Sequence, residues 1–192
     1  FALRMPHPAS WIAVLLGAPS ALILGLGLAN FVNAFVFPIP TEMLEAFGQA
    51  FGASDLGLFQ LLLFLSIMPG ILEELTFRGV LLHGLRKRFP PWALCLVVGA
   101  IFGFFHVSLF RIAPTAWLGV VLAAVVLLTG SVFPAMAWHA LNNALAIVPS
   151  HMGWLPESFE PPGWSAPAAA VMLALAFWIL WYTRRPYPDL RA

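Results

Sequence analysis

The feature that most constrains this chain is the recurrence of long segments without charge. Residues 11–37, for example, contain no charged side chain. A helix of about 20 apolar residues crosses the hydrocarbon core of a bilayer, so this segment is long enough to span one. The chain is 61% hydrophobic and 9% charged, whereas soluble domains carry roughly 25% charged residues. The sequence therefore excludes a water-soluble globule and predicts an all-α fold, a polytopic transmembrane helix bundle with about six to seven spans.

Prolines and charged residues divide the chain into apolar segments. Six of them are predicted to cross the membrane, at residues 11–37, 56–85, 92–110, 114–129, 134–148 and 168–182. The second is longer than a bilayer requires, and Pro69 with Gly70 predicts a kink or break within it. Residues 41–51 are expected to form a short surface helix, and residues 150–167 a loop.

We expect one membrane domain over residues 1–192, cut from a longer chain. The sequence begins at Phe1 rather than at a methionine, and the first apolar run is too long for a signal peptide. Because Cys95 is the only cysteine, an internal disulfide and a cysteine-rich metal site are excluded. A net charge of +1 is too balanced to indicate nucleic-acid binding, so the lipid bilayer is the first partner that the sequence predicts.

The few charges also predict an orientation. The basic residues expected on one side of the membrane are Arg4, Arg86, Lys87, Arg88, Arg184, Arg185 and Arg191. Those expected on the other side are Glu42, Glu45, Asp55, Glu157 and Glu160, together with Arg111 as the one basic exception. By the positive-inside rule the basic side is cytoplasmic, which places both termini of a multi-pass protein in the cytoplasm, as in a bacterial cytoplasmic membrane.

Five ionisable residues lie inside apolar segments: Glu73, Glu74, Arg78, His106 and His139. A charge near the bilayer centre costs at least about 2.5–3.5 kcal/mol, so such residues normally face one another or a wet cavity. This makes them candidates for a functional site. The simpler alternative is that a Glu–Arg pair only locks helices together and that each histidine is a packing residue.

Helical spacing predicts how these side chains group. Glu74 and Arg78 are four residues apart and share a helix face, so they can pair. Glu73 is offset by about 100° and remains available. His139 and Asn143 share a face of another helix, where an imidazole and an amide could donate two hydrogen bonds to one oxyanion.

Three signatures occur in order along the chain: Glu73-Glu74-x-x-x-Arg78, Phe102-x-x-x-His106 and His139-x-x-x-Asn143. This arrangement resembles the CPBP (CAAX protease and bacteriocin-processing, ABI) family of intramembrane endopeptidases, which includes the Ras-converting CAAX prenyl endopeptidases. The resemblance covers residues 61–148, which would be the catalytic core. It implies hydrolysis of a peptide bond in a peptide or protein substrate, with or without a prenyl group.

The resemblance also implies a role for each residue. Glu73 would be the catalytic carboxylate and, with His106, would hold and deprotonate a water molecule. His139 and Asn143 would stabilise the oxyanion. The residues that would support the site are Glu74, Arg78 and Phe102.

Two questions stay open from the residues alone. Glu73, His106 and His139 could also ligate a divalent metal such as zinc, although no His-Glu-x-x-His motif is present, and the metal-free glutamate mechanism is slightly favoured. Helical rise also places His139 at a different depth from Glu73. Either the turn at residues 129–133 is sunk into the protein, or the first helix pair is kinked and tilted.

Two other classes of function fit the same residues. The first is proton or cation translocation through the intramembrane carboxylates and histidines. The second is a catalytically idle membrane scaffold, fused to or associated with a transporter domain. The amide of Asn143 argues against a proton relay, because an amide cannot carry a proton.

Overall fold

The computed structural model describes residues 2–40, 42, 56–154, 161–185 and 187. These residues form six helices and no strand. In chain order the helices are α1 (Ser10–Phe35), α2 (Leu58–Leu85), α3 (Pro91–Phe105), α4 (Leu109–Thr129), α5 (Phe133–His151) and α6 (Ser165–Tyr182). The all-α prediction is confirmed. The expected surface helix at residues 41–51 lies outside the described residues apart from Glu42, as do Glu45, Asp55, Glu157, Glu160 and Arg191.

Four helices are long and apolar enough to cross a membrane, namely α1, α2, α4 and α6. Helix α3 is apolar but shorter. Helix α5 is not among the four, because His139, Asn142 and Asn143 reduce its apolar character. The structure therefore describes a membrane protein whose clearly spanning helices are fewer than the six to seven predicted spans.

One helix boundary differs clearly from the sequence prediction. Helix α4 begins at Leu109, whereas the sequence placed the start of this span at Pro114 and assigned Phe110 to the preceding span. The preceding residue, Ser108, has an extended backbone (φ −131°) that ends the connection from α3. Pro114 falls in the second turn, where its missing N–H leaves only one carbonyl of the first turn without its helical partner.

The expected break at Pro69 and Gly70 is absent, because α2 is helical throughout its 28 residues. It deviates from α-helical geometry through two π-helical segments, Leu63–Ile67 and Leu75–Leu82. Such segments are rare and recur at functional sites. They flank the turn that carries Glu73. Of the expected kink or break, the break does not occur, but irregular backbone surrounds this turn.

Small residues allow the helices to approach closely. A Cβ at Gly99 would lie 2.5 Å from a methyl group of Val120, and one at Gly103 would lie 2.7 Å from Cβ of Ala116. Helices α3 and α4 therefore contact each other through glycine and alanine. This is the usual solution in membranes, where van der Waals contact replaces the hydrophobic effect.

Trp138 anchors α5 to α1. Its side chain is fully buried, and a Cβ at Gly17 would overlap the indole ring. The ring also packs against Phe177 of α6, with 6.3 Å between the ring centroids. Helix α5 is thereby fixed against two neighbouring helices one residue before His139.

Replacing Gly17 by alanine is expected to destabilise the bundle. The added methyl group would collide with the Trp138 ring, and overpacking of this kind costs about 1–3 kcal/mol. Gly27→Ala, in the same helix, is the matched control because nothing lies within 4 Å of a Cβ there. Thermal unfolding in detergent should separate the two variants, and equal midpoints would contradict this packing.

The turn between α4 and α5 is buried inside the protein. Thr129, Ser131 and Val132 are only 3%, 0% and 1% exposed. The N-terminal segment covers the turn: Arg4 Nε donates to the Gly130 carbonyl at 2.8 Å, and the Val132 amide donates to the Ala2 carbonyl at 2.9 Å. The turn is therefore sunk into the protein, the first of the two alternatives.

Several basic residues meet at one end of the bundle. Arg4 Nη2 donates to the Arg185 carbonyl at 3.1 Å, and the Arg185 amide donates to the Leu128 carbonyl at 2.9 Å. At the end of α2, His83 Nδ1 lies 3.0 Å from the Tyr187 hydroxyl. These contacts bring the N-terminal segment, the end of α2 and the segment after α6 to the same end, as the charge pattern predicts.

Candidate active site

A buried ion pair forms the base of the site. Glu74 and Arg78 are both completely buried, and Arg78 Nη1 lies 2.6 Å from Glu74 Oε1. The second guanidinium nitrogen, Nη2, donates to the Gly119 carbonyl of α4 at 2.8 Å. The pair predicted from the four-residue spacing is confirmed, and it also ties α2 to α4.

His139 of α5 lies between the two carboxylates of α2. Its Nδ1 is 2.9 Å from Glu74 Oε1, and its Nε2 is 4.0 Å from Glu73 Oε2. An ionised carboxylate can only accept hydrogen bonds, so we place the imidazole proton on Nδ1, where it is donated to Glu74. In this tautomer Nε2 has a free lone pair on the side of Glu73.

Glu73 differs from its neighbour in exposure. Its side chain is 25% exposed, whereas that of Glu74 is fully buried. Glu73 Oε2 is buried and has no hydrogen-bond partner. The sequence predicted that Glu74 pairs with Arg78 and that Glu73 remains available. The burial of Glu74 and the partial exposure of Glu73 correspond to that distinction.

Phe102 connects the polar residues. Its ring centroid lies 4.7 Å from the Arg78 guanidinium, in cation–π geometry. It also lies 4.9 Å from the His106 ring and 5.7 Å from the His139 ring, both edge-on. One buried aromatic ring from α3 therefore contacts residues of all three sequence signatures.

His106 lies at the C-terminal cap of α3. Its Nδ1 is 2.8 Å from the Phe102 carbonyl, an acceptor, so this nitrogen carries the proton and Nε2 remains an acceptor. No hydrogen bond or ion pair joins His106 to Glu73 within the described ranges. The next residue, Val107, has φ 49° and is 91% exposed. Positive φ is strained for a β-branched residue, so α3 ends sharply just after His106.

Asn143 contacts a backbone carbonyl of the first π-helical segment. Its Nδ2 donates to the Leu65 carbonyl at 3.1 Å. Pro69 has no N–H, so it cannot make the i→i−4 bond that an α-helix would direct to Leu65. The side chain of Asn143 meets this carbonyl, and one of its two amide protons remains for another acceptor.

Sequence reasoning missed Ser66 as a residue that positions the site. It is 2% exposed, and its Oγ donates to the Ala140 carbonyl at 2.7 Å, which joins α2 to α5 next to His139. The spacing offered a signal, since Ser66 precedes Glu73 by seven residues, about two helical turns. A hydroxyl in an apolar helix is common enough to be overlooked.

A groove of about 340 Å³ opens beside Glu73. It lies between α2 and the end of α3, and its other lining residues include Met68, Leu72, Thr76, Phe77 and Phe105. Leu72 and Phe105 are exposed on the outside of the bundle. The carboxylate is therefore reached from an apolar, outward-facing surface.

The described side chains do not assemble the metal site that the resemblance allowed. In the described part of the chain, no three His, Cys, Asp or Glu residues are grouped closely enough to hold a metal ion. Glu73 and His139 approach each other, whereas His106 joins them only through the Phe102 ring. We therefore derive no reaction step through a metal.

One family model matches part of the chain. Residues 55–145 match the family described as Type II CAAX prenyl endopeptidase Rce1-like. This range includes Glu73, His106 and His139, and both histidine rings contact the Phe102 ring. No curated protein and no solved structure matches the chain. This match, together with the apolar helices and the three signatures, supports assigning the segment 55–145 to the CPBP family of CAAX-type intramembrane proteases.

Proposed function

We propose that the chain is an intramembrane endopeptidase in which Glu73 and His139 activate a water molecule. The observation that carries this proposal is the position of His139, with Nδ1 2.9 Å from Glu74 and Nε2 4.0 Å from Glu73. A water that hydrogen-bonds to both Nε2 and Glu73 Oε2 at about 2.8 Å would do so at an angle of about 90°. Both atoms are acceptors, so each would accept a hydrogen bond from one of the two O–H groups of the water.

The proposed reaction begins with transfer of a proton from this water to Glu73. The water oxygen attacks the carbonyl carbon of the peptide bond, and the carbonyl electron pair moves onto its oxygen. When the C–N bond breaks, its electrons go to the leaving nitrogen, which takes the proton from Glu73. The products are a carboxylic acid and an amine, and Glu73 returns to its starting state.

Asn143 is the proposed oxyanion donor. One of its amide protons is donated to Leu65, which fixes the orientation of the side chain, and the second is free for the oxygen of the tetrahedral intermediate. His139 would join it if Glu73 passed the water proton to Nε2 during the lifetime of the tetrahedral intermediate and took it back before the C–N bond breaks. These are the two donors that the family resemblance implies.

His106 has two candidate roles. The resemblance implies that His106 holds the water molecule together with Glu73. The distance of 4.0 Å between His139 Nε2 and Glu73 Oε2 favours His139 for that role instead. In our proposal His106 completes the site through the Phe102 ring and offers Nε2 as a further acceptor. The substrate would reach Glu73 through the outward-facing apolar groove, and the basic end of the bundle would face the cytoplasm.

Proteolysis by the reconstituted protein tests the proposal. The protein in liposomes should cleave an apolar peptide that carries a fluorophore and a quencher, and His139→Ala should abolish the signal. His106→Ala is expected to reduce cleavage as well, and less strongly than His139→Ala. The matched control is His7→Ala, since His7 lies in the N-terminal segment, outside the helices. Full activity of His139→Ala would overturn the water assignment.

A chelator separates the two protease mechanisms. Without a metal, cleavage should continue at the same rate after prolonged incubation with a strong chelator and removal of released ions. Elemental analysis of the active protein should find less than one equivalent of zinc. Loss of activity on chelation, restored by zinc, would instead support a metal mechanism with ligands beyond the Glu73–His139 pair.

A further inference from the structure

A second groove lies between α2, α5, the first turn of α1 and the N-terminal segment, and it shares no lining residue with the groove beside Glu73. Its volume is about 430 Å³, within the range of roughly 300–1,000 Å³ that is typical of ligand sites. The lining side chains are all apolar and include Met5, Trp11, Ile67, Ile71, Met136 and Ala137.

The groove is open to the outside of the bundle. Met5, Ile67 and Ile71 are 66%, 45% and 42% exposed. On a protein with spanning helices, an apolar outer surface between helices faces lipid chains, so a hydrocarbon chain is the ligand that such a lining favours. Ala137 is a small residue in α5, where a bulkier side chain would project into the space.

A cation marks one end of this groove. Arg185 Nη1 donates to the Met5 carbonyl at 3.2 Å, and the Met5 side chain lines the groove. The hydrogen bond is to a neutral carbonyl, and Arg185 has no acidic partner among the residues that the structure describes. Its charge is therefore available to an anionic group at this end.

We propose that this groove binds one acyl chain of an anionic phospholipid, whose phosphate headgroup is held by Arg185. Basic positions between transmembrane helices on the positively charged side recognise anionic headgroups in this way. The bound chain would contact Ile71 of α2 and Ala137 of α5. These residues lie two positions before Glu73 and two before His139, so the lipid would brace the helix pair that carries both.

Native mass spectrometry tests the proposal directly. The chain is reconstituted with equal amounts of phosphatidylglycerol and phosphatidylcholine, and the lipids that remain bound are counted. We expect one retained phosphatidylglycerol. Arg185→Gln should reduce its preference over phosphatidylcholine by about fivefold, the effect of one arginine near a headgroup. Arg185→Lys should keep the preference, and so should the neighbouring Arg184→Gln, because Arg184 stacks on Trp181 instead.

A second pair of variants tests the groove itself. Ala137→Phe should fill it and release the lipid, while Ala174→Phe, on an exposed face of α6, should not. Unfolding midpoints in detergent show whether each variant is folded. Equal retention of the two lipids by the wild-type chain, or undiminished lipid on folded Ala137→Phe, would overturn the proposal. So would a wild-type dimer that Ala137→Phe dissociates, because a second copy would then occupy the groove.

Discussion

Glu73→Gln is expected to abolish peptide cleavage while leaving the fold intact. Glutamine keeps the size of the side chain but cannot accept a proton from water, and a general base contributes about 10²–10⁴-fold to a rate. The Glu73 side chain is 25% exposed and forms no hydrogen bond through Oε2, so the substitution removes no hydrogen bond at that atom. The measurement is the initial rate of cleavage in liposomes, together with the unfolding midpoint in detergent.

The matched control for this variant is Glu42→Gln. Glu42 is an exposed carboxylate outside the spanning helices, so its removal should change neither rate nor stability. A Glu73→Gln protein that cleaves at the wild-type rate would remove Glu73 from the mechanism. If the wild-type chain itself were inert, with its fold intact, the scaffold alternative would gain support.

Arg78→Met is expected to cause the largest loss of stability of any single substitution at the site. Methionine retains much of the length of arginine, but it leaves the Glu74 carboxylate buried without its cationic partner. It also removes the donor to the Gly119 carbonyl. Removing one partner of a buried ion pair lowers the free energy of unfolding by about 3–5 kcal/mol. Denaturant unfolding in mixed micelles should record a loss of this size.

A second substitution separates the ion pair from simple loss of packing. In the double variant Glu74→Gln with Arg78→Met, no uncompensated charge remains, so part of the lost stability should return. Arg184→Gln is the exposed control and should be neutral within about 0.5 kcal/mol. Wild-type stability of Arg78→Met would show that the pair contributes little to the fold.

The sequence predicted correctly those contacts of the site that form between residues of a single helix. The spacing of Glu74 and Arg78 predicted their ion pair, which the structure confirms at 2.6 Å. The same geometry predicted that Glu73 would stay available. Both predictions hold because residues of one helix keep their angular relation wherever the helix packs.

Prediction from the sequence was less successful where the backbone departs from regular α-helical geometry. Pro69 with Gly70 predicted a kink or break in α2, but the helix does not break, and two π-helical segments lie on either side of this position. The carbonyl of Leu65 then meets Asn143 from another helix. That contact depends on the relative shift of two helices, which no local pattern specifies.

By itself, then, the sequence determined that the chain is a helical membrane protein and which polar residues lie among its apolar segments. Charged residues are rare in apolar segments because inserting a charge into the bilayer is costly. The few that occur can therefore be recognised from the sequence alone. Only the tertiary structure decided that His139 lies between Glu73 and Glu74. This position of His139 depends on the buried turn at residues 129–132 and on the contact of Ser66 with Ala140. These are packing interactions between distant parts of the chain, and helical periodicity does not encode them.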